Sequence, residues 1–249
     1  MFIPEKKYTV TVSVEAASGN EFTETVKAYI NGKPANIIYK NAEEMKIVYT
    51  FPKLKTQLPS MFFEDVKMGD WFYESVEFVY YNHVMRGMTE QIFGPHVTTS
   101  RGMIVTVLYR MEEEPAVSGA CPFTDVAQGS YYEDAITWAS ENKIVEGYGG
   151  GKYGPDDNIT REQLACIMFR FAKFKGYYDE DDCVMLGGFT DQNKISDWAT
   201  EAASWAVGTD LVNGIQESDG LYFRPQNNAE RCQVATILER FCDYFNYYE

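Results

Sequence analysis

Three arginines in this chain stand at one fixed distance from a proline. Pro95, Pro155 and Pro225 are each followed, six residues on, by Arg101, Arg161 and Arg231. The best-formed copy, GPDDNITREQL from Gly154 to Leu164, reads as a turn followed by a helix start. Thr160 is placed to cap, Gln163 to complete a capping box, and Arg161 then becomes the first residue inside the helix. The helix dipole is positive at that end, so a cation there costs about 0.3–1 kcal/mol. The same position gains if an anion arrives, because unpaired helix N–H groups and a planar guanidinium fork both favour a carboxylate. The chemistry this spacing predicts is anion recognition.

Other chemistries have little to build on. No G-x-S-x-G, H-E-x-x-H or phosphate-binding loop occurs, and the two histidines, His83 and His96, have no evident nucleophile beside them. No carboxylate pair is singled out for glycosidase work. The acidic run DEDD at 179–182 lacks the ligand spacing of a calcium loop and reads as a solvated linker. Five cysteines (121, 166, 183, 232 and 242) are scattered without a C-x-x-C, so neither a disulfide framework nor a zinc site is expected. The chain is therefore expected to be no enzyme, with no cofactor and no metal. A net charge of −15 and the absence of any basic run longer than Lys6-Lys7 exclude nucleic acid and an anionic membrane surface as partners. No stretch reaches the roughly 18 apolar residues of a membrane span. The start, MFIPEKKYTV, lacks the apolar core of a secretory signal, which predicts either a cytosolic chain or a processed piece of a longer one.

The elements that position the arginines repeat with them. Three segments open alike, FEDVKMGDWFYESVEFV from Phe63, FTDVAQGSYYEDAITWA from Phe123 and FTDQNKISDWATEAASWA from Phe189. The first two copies are in step at 60 residues; the third carries extra residues between Gly214 and Pro225. Beyond each arginine, apolar residues recur at +3, +6, +7 and +10, which is one face of a helix. These are Ile104, Val107, Leu108 and Met111, then Leu164, Ile167, Met168 and Phe171, then Val234, Ile237, Leu238 and Phe241. An earlier stripe runs through Tyr132, Ala135, Ile136 and Ala139 in copy two, and Ala199, Ala202, Ala203 and Ala206 in copy three. Each unit thus reads as helix, glycine-containing loop, helix, too small to bury both stripes alone, so three copies must share a core. The expected fold is mainly α, with repeats at 63–119, 120–185 (including a linker) and 186–249. Residues 1–56 differ. KYTVTVSVE alternates as a half-buried strand does, TVKAYINGKPANIIYK reads as two strands about an Asn31-Gly32 turn, and MKIVYTF adds another. This predicts a small β-sandwich-like module, joined by a linker at 57–62, with no strong strand signal after it.

The FTDV opening, the glycine after the first helix and GPDDNITREQ, with ITRE at 159–162, resemble the S-layer homology (SLH) motif, here in three copies. The resemblance implies a pseudo-threefold helical spindle with three projecting prongs. Grooves between the prongs would bind an anionic, pyruvylated secondary cell-wall polysaccharide and hold an exported protein on a bacterial surface, with other surface-layer proteins as further partners. Arg161 carries the family's role toward the acidic sugar, and Arg101 and Arg231 follow by position. Trp71, Tyr131 and Trp198 would stack on pyranose rings. Gly87, Gly147 and Gly214 would let the backbone approach the ligand, accept a positive φ, or simply cap their helices. Trp138 and Trp205, later on the first helices, are packing residues. Copy one has Gly102 where the motif has an acid. In copy three Glu230 takes the capping position, where its carboxylate would neutralise Arg231 and leave that groove degenerate. Two alternatives stay open: a helical protein-interaction scaffold with eroded grooves, and the anchor fragment of a larger surface enzyme.

Overall fold

A computed structural model of the chain describes residues 8–16, 21, 28–30, 33–41, 44–51 and 63–248. It divides into two compact units, Met1–Ser60 and Met61–Glu249.

The first unit contains strands β1 (Tyr8–Glu15), β2 (Ala28–Ile30), β3 (Lys33–Lys40) and β4 (Glu44–Phe51), in one antiparallel sheet ordered β1-β4-β3-β2. Ile30 pairs with Lys33; the Asn31-Gly32 turn expected between them, like the linker at 57–62, lies outside the described residues. Alternation is clean on β4, where Met45 and Ile47 are buried and Lys46 is exposed. They pack with Ala28 and the half-buried Val14, Ala35 and Ile37. On β1 the expected alternation holds only in part: Val14 is half-buried between exposed Ser13 and Glu15, whereas Val12 is exposed on this outer strand, which has a neighbour on one side only. Among the described residues this unit has one sheet, where a sandwich needs two.

Among its described residues the second unit carries six α-helices: α1 (Tyr73–Tyr81), α2 (Arg101–Met111), α3 (Glu133–Glu141), α4 (Arg161–Lys175), α5 (Thr200–Gly208) and α6 (Arg231–Tyr244). All twelve stripe residues past the three arginines are buried, as are the stripes of α3 and α5 and both packing tryptophans, Trp138 and Trp205. One element was not expected: the extra residues of copy three form a hairpin of β5 (Ile215–Glu217) and β6 (Gly220–Tyr222). Two three-residue strands are too short to show a period in sequence.

The helices pair between repeats, not within them. Each second helix packs on the first helix of the following repeat: α2 on α3, α4 on α5, and α6 back on α1. A ring of backbone hydrogen bonds closes the same circuit. The Thr99 N–H donates to the Ala229 carbonyl, Ala229 to Ile159, and Ile159 to Thr99, each at 2.9 Å. The three stretches leading into α2, α4 and α6 thus meet on one another, and each repeat is completed by its neighbours.

Candidate functional site

Three aspartates near the repeat openings start the construction. Asp65 accepts hydrogen bonds from the backbone N–H groups of Phe93 and Gly94, Asp125 from Tyr153 and Gly154, and Asp191 from Phe223 and Arg224, all at 2.7–2.9 Å. Each carboxylate bridges two successive amides just before the proline and fixes a turn whose second residue has positive φ: Gly94 at 73°, Gly154 at 71° and Arg224 at 57°. Burial opposes charge on Asp125, but the bonds from Tyr153 and Gly154 and the nearby Lys152 outweigh it and hold its carboxyl below the ordinary value. Because the folded value is depressed, this clamp is complete at neutral pH. Its contribution fades only as acid takes the pH down through that lowered value.

The clamped loop then grips the arginine of the preceding repeat. Arg101 Nε donates to the Tyr153 carbonyl at 3.0 Å, Arg161 Nε to Phe223 at 2.8 Å and Arg231 Nε to Phe93 at 2.9 Å. Arg101 and Arg231 add an Nη2 bond to the carbonyls of Glu146 and Arg86. The first helical N–H groups are used in the same way: those of Arg101 and Gly102 go to Asp157 and Pro155, those of Arg161 and Glu162 to Asn227 and Pro225, and those of Arg231 and Cys232 to Val97 and Pro95. This corrects the expectation of open helix N–H groups waiting for an anion. The neighbouring repeat already fills them with carbonyls, and the same carbonyls explain why a cation is tolerated at that end of a helix.

Each arginine is more than nine-tenths buried, yet each lines a groove. Arg161 meets Gly214 and Trp71; Arg101 meets Gly147 and Trp198; Arg231 meets Gly87 and Tyr131. Every groove therefore takes its arginine from one repeat, its glycine loop from the next and its aromatic from the third. The three rings stay 64%, 62% and 59% exposed for Trp71, Tyr131 and Trp198, although large aromatics are normally drawn into cores. The cavities measure about 390 Å³ at Arg161, 230 Å³ at Arg101 and 390 Å³ at Arg231. Tyr148 lines the smallest of the three, and the Arg101 guanidinium lies 4.6 Å from the ring centres of both Tyr148 and Tyr153. Arg161 is the least engaged: its Nε bond is its one side-chain hydrogen bond to described residues, and the Phe223 ring lies 5.8 Å away.

Gly214 has the expected positive φ, 77°, whereas Gly87 and Gly147 do not and are glycine for another reason. A Cβ on Gly147 would stand 2.3 Å from the Lys152 carbonyl oxygen and 2.7 Å from the Phe123 ring, and one on Gly87 2.4 Å from the Phe63 ring. Lack of a side chain here serves packing, with groove access as a by-product. Nor do they cap: α1, α3 and α5 end at Asn82, Asn142 and Thr209, and the left-handed residues that follow are His83, Lys143 and Asp210. Glu230 does not neutralise Arg231 either. Its carboxylate receives His96 Nδ1 at 2.8 Å, while the Arg231 donors point to carbonyls. With Cys232, those two groups form a set of metal-capable donors within 4.8 Å of one another, which the scattered sequence positions had hidden. The Cys232 thiol is pushed up to about 12 by burial and by Glu230, which keeps it protonated.

A second arginine enters each groove from the helix that follows its glycine loop: Arg240 beside Arg161, Arg170 beside Arg101, Arg110 beside Arg231. All three lie nine residues after a first arginine, a spacing legible in the sequence but without an anchor such as the proline to draw attention to it.

The S-layer homology domain model matches this chain at residues 62–102, 122–165 and 188–235, the stretches that carry the first arginine, the glycine and the exposed aromatic of each groove. The chain belongs to the S-layer homology domain family. Similar proteins include the amylopullulanase of Thermoanaerobacterium thermosulfurigenes, 30% identical over 71% of this chain and 9% of that protein. The exoglucanase XynX of Acetivibrio thermocellus is 27% identical over 89% of this chain and 18% of its own length. The surface-layer 125 kDa protein of Lysinibacillus sphaericus is 26% identical over 70% and 14%. The chain thus spans less than a fifth of each of these relatives, and no described helix is long and apolar enough to cross a membrane.

The acidic position of the SLH signature is explained within the fold. Glu162 is 2% exposed and accepts from the Ser196 N–H at 3.0 Å, the Ser196 hydroxyl at 2.9 Å and Gln226 at 2.7 Å, tying repeat two to the start of repeat three. In repeat one the Tyr132 ring fills this space, and a Cβ on Gly102 would come within 2.9 Å of it. Replacing Glu162 with alanine should therefore cost about 3 kcal/mol, since three hydrogen bonds to a buried carboxylate are lost together. Urea unfolding of the variant measures this, and a loss under about 1 kcal/mol would refute the linking role.

Proposed function

We propose that this chain is a non-catalytic anchoring module that binds an anionic, pyruvylated secondary cell-wall polysaccharide in the grooves between its repeats, and so holds a protein on a bacterial surface. In this reading the repeats form a pseudo-threefold spindle whose three prongs bound the grooves, and residues 1–56 form a separate β-rich module ahead of them. Arg161, Arg101 and Arg231 supply charge, Trp71, Tyr131 and Trp198 supply the stacking face, and Gly87, Gly147 and Gly214 floor the groove. The observation that carries the reading is the recurrence, three times, of a buried arginine beside an exposed aromatic ring contributed by a different repeat. A ring kept in water across a cleft from a cation has one apolar face and one charged neighbour to offer, which is what an acidic pyranose presents in mirror image. The net charge of −15 does not oppose this, because attraction in a groove depends on charges within a Debye length of about 8 Å. Membership of a family that includes a surface-layer protein supports the location.

The test is a binding isotherm of the intact chain against purified cell-wall polysaccharide, before and after removal of its acidic substituents. Affinity should fall at least about tenfold on their removal, the worth of one good charge-assisted contact. Equal binding to both preparations would refute the anionic reading, and no binding to either would refute glycan anchoring.

A further inference from the structure

The three grooves share one plan but not one charge. At the position before each glycine stand Arg86, Glu146 and Asn213. In the groove of Arg101, Glu146 forms an ion pair with the second arginine, Arg170, at 3.1 Å. In the groove of Arg161, Arg161 and Arg240 line the wall with neutral Asn213. In the groove of Arg231, Arg86, Arg110 and Arg231 line one cavity, and no carboxylate is among its lining residues.

Among the described residues, two buried polar atoms of side chains lining that third cavity lack hydrogen bonds. Thr99 is 1% exposed, and its Oγ1 has no hydrogen-bond partner among the described residues; nor has Arg110 Nε, which faces Glu114 at ion-pair distance, 3.7 Å, but beyond hydrogen-bond reach. The residues equivalent to Thr99 in the other repeats are Ile159 and Ala229, so the hydroxyl belongs to this groove alone. An orphaned buried donor is costly and rare in a native protein, and it calls for a partner that the protein itself does not supply. Burial first, and then the charge of Arg86, hold the Arg110 guanidinium below its ordinary value, so these like charges lie close enough to oppose one another. Tyr131 stands within the field of both Arg110 and Arg231.

Resting on the reading of the grooves as acidic-sugar sites, we propose that the groove of Arg231 is specialised for a sugar carrying a phosphate monoester, whereas the groove of Arg101 takes a singly charged acid. A carboxylate is planar and is satisfied by one guanidinium fork. A phosphate monoester carries nearly two charges at neutral pH and three terminal oxygens in a tetrahedral array, which three guanidinium groups and a hydroxyl can serve together. The extra charge is what relieves three neighbouring cations, because the carboxylate paired with Arg110, Glu114, is not among the residues that line the cavity, whereas in the groove of Arg101 the carboxylate of Glu146 is. The groove that Glu230 seemed to cancel is thus the most cationic of the three.

The test uses the intact 15N-labelled chain at pH 7.5, with the amides of Gly87, Gly147 and Gly214 reporting the three grooves separately. The probes are N-acetylglucosamine 6-phosphate, its phosphate methyl ester with one charge fewer, and glucuronic acid. The Gly87 amide should report at least about tenfold tighter binding of the monoester than of either monoanion, while Gly147 reports less than about threefold discrimination. Arg86→Gln should abolish the preference at Gly87. Arg86 is exposed, and its carbonyl, which accepts from Arg231, survives the change, so an unaltered melting temperature certifies the fold. Equal affinities at Gly87, equal discrimination at Gly147, or a preference that persists in Arg86→Gln would overturn the proposal while leaving the grooves as sugar sites. Silence of all three glycines toward all three probes would overturn the sugar-site reading with it.

Discussion

Substituting Trp71, Tyr131 and Trp198 together with alanine should weaken retention on acidic cell-wall polysaccharide by about a hundredfold or more, with little change in melting temperature. The size of the effect follows from repetition. A stacked ring is worth about 0.5–1.5 kcal/mol, or up to about tenfold per groove. Grooves that engage one polymer together multiply their losses, because the second and third contacts are intramolecular once the first is made. Stability should be spared because the rings are 59–64% exposed, and their neighbours Phe72 and Tyr132 are buried on their own account. Exposed substitutions of this kind usually change stability by no more than about 0.5 kcal/mol each. A binding isotherm paired with a thermal melt reads both quantities. Unchanged retention would exclude the rings from the binding surface, and lost retention with a collapsed melt would assign them to the core instead.

Asp191→Ala should be the most damaging single substitution among the three aspartate clamps, at about 3–5 kcal/mol. Its carboxylate is 2% exposed and receives two backbone N–H bonds, at 2.8 and 2.9 Å, each a charge-assisted contact worth about 1.5–3 kcal/mol. The loss would not stop at the turn. Phe223, whose N–H the carboxylate holds, offers its carbonyl to Arg161 Nε, so the clamp on one repeat sets the arginine of another. Asp191→Asn keeps one acceptor oxygen and should recover about half of the lost stability. Chemical denaturation of the two variants measures this. An alanine variant within about 1 kcal/mol of wild type would show that the turn holds itself.

The helices and their buried faces were legible because apolar spacing is a local property. Residues three and four apart must share a side of a helix whatever it packs on, and all twelve stripe residues past the arginines are buried. The capping box at Thr160 was legible for the same reason, being closed within four residues. What was hidden depends on which repeat meets which. Nothing local in Arg161 says that its guanidinium is held by Phe223, 62 positions away, or that its groove is completed by Trp71, 90 positions earlier. Gly214 has the positive φ the sequence suggests, but the reason for Gly87 and Gly147 is not local, since the ring of Phe63 or Phe123 that excludes a side chain there lies more than 20 residues off. Glu230 was misjudged because adjacency in sequence placed it beside Arg231, whereas on the N-terminal turn of a helix successive side chains diverge by about 100°. Its carboxylate turns instead to His96.

The amides of Thr99, Ile159 and Ala229 bond one another in a closed triangle, each with a single donor and a single acceptor, all of them used. An open stack of repeats exposes an unfinished face at either end and lengthens by accretion; a triangle has no end to add to. A fourth copy would have no vertex to occupy, and a missing one would strand a donor and an acceptor at the centre of the module. Copy number is in this way a stoichiometry written into the main chain, which leaves the side chains facing each groove free to diverge without disturbing the count.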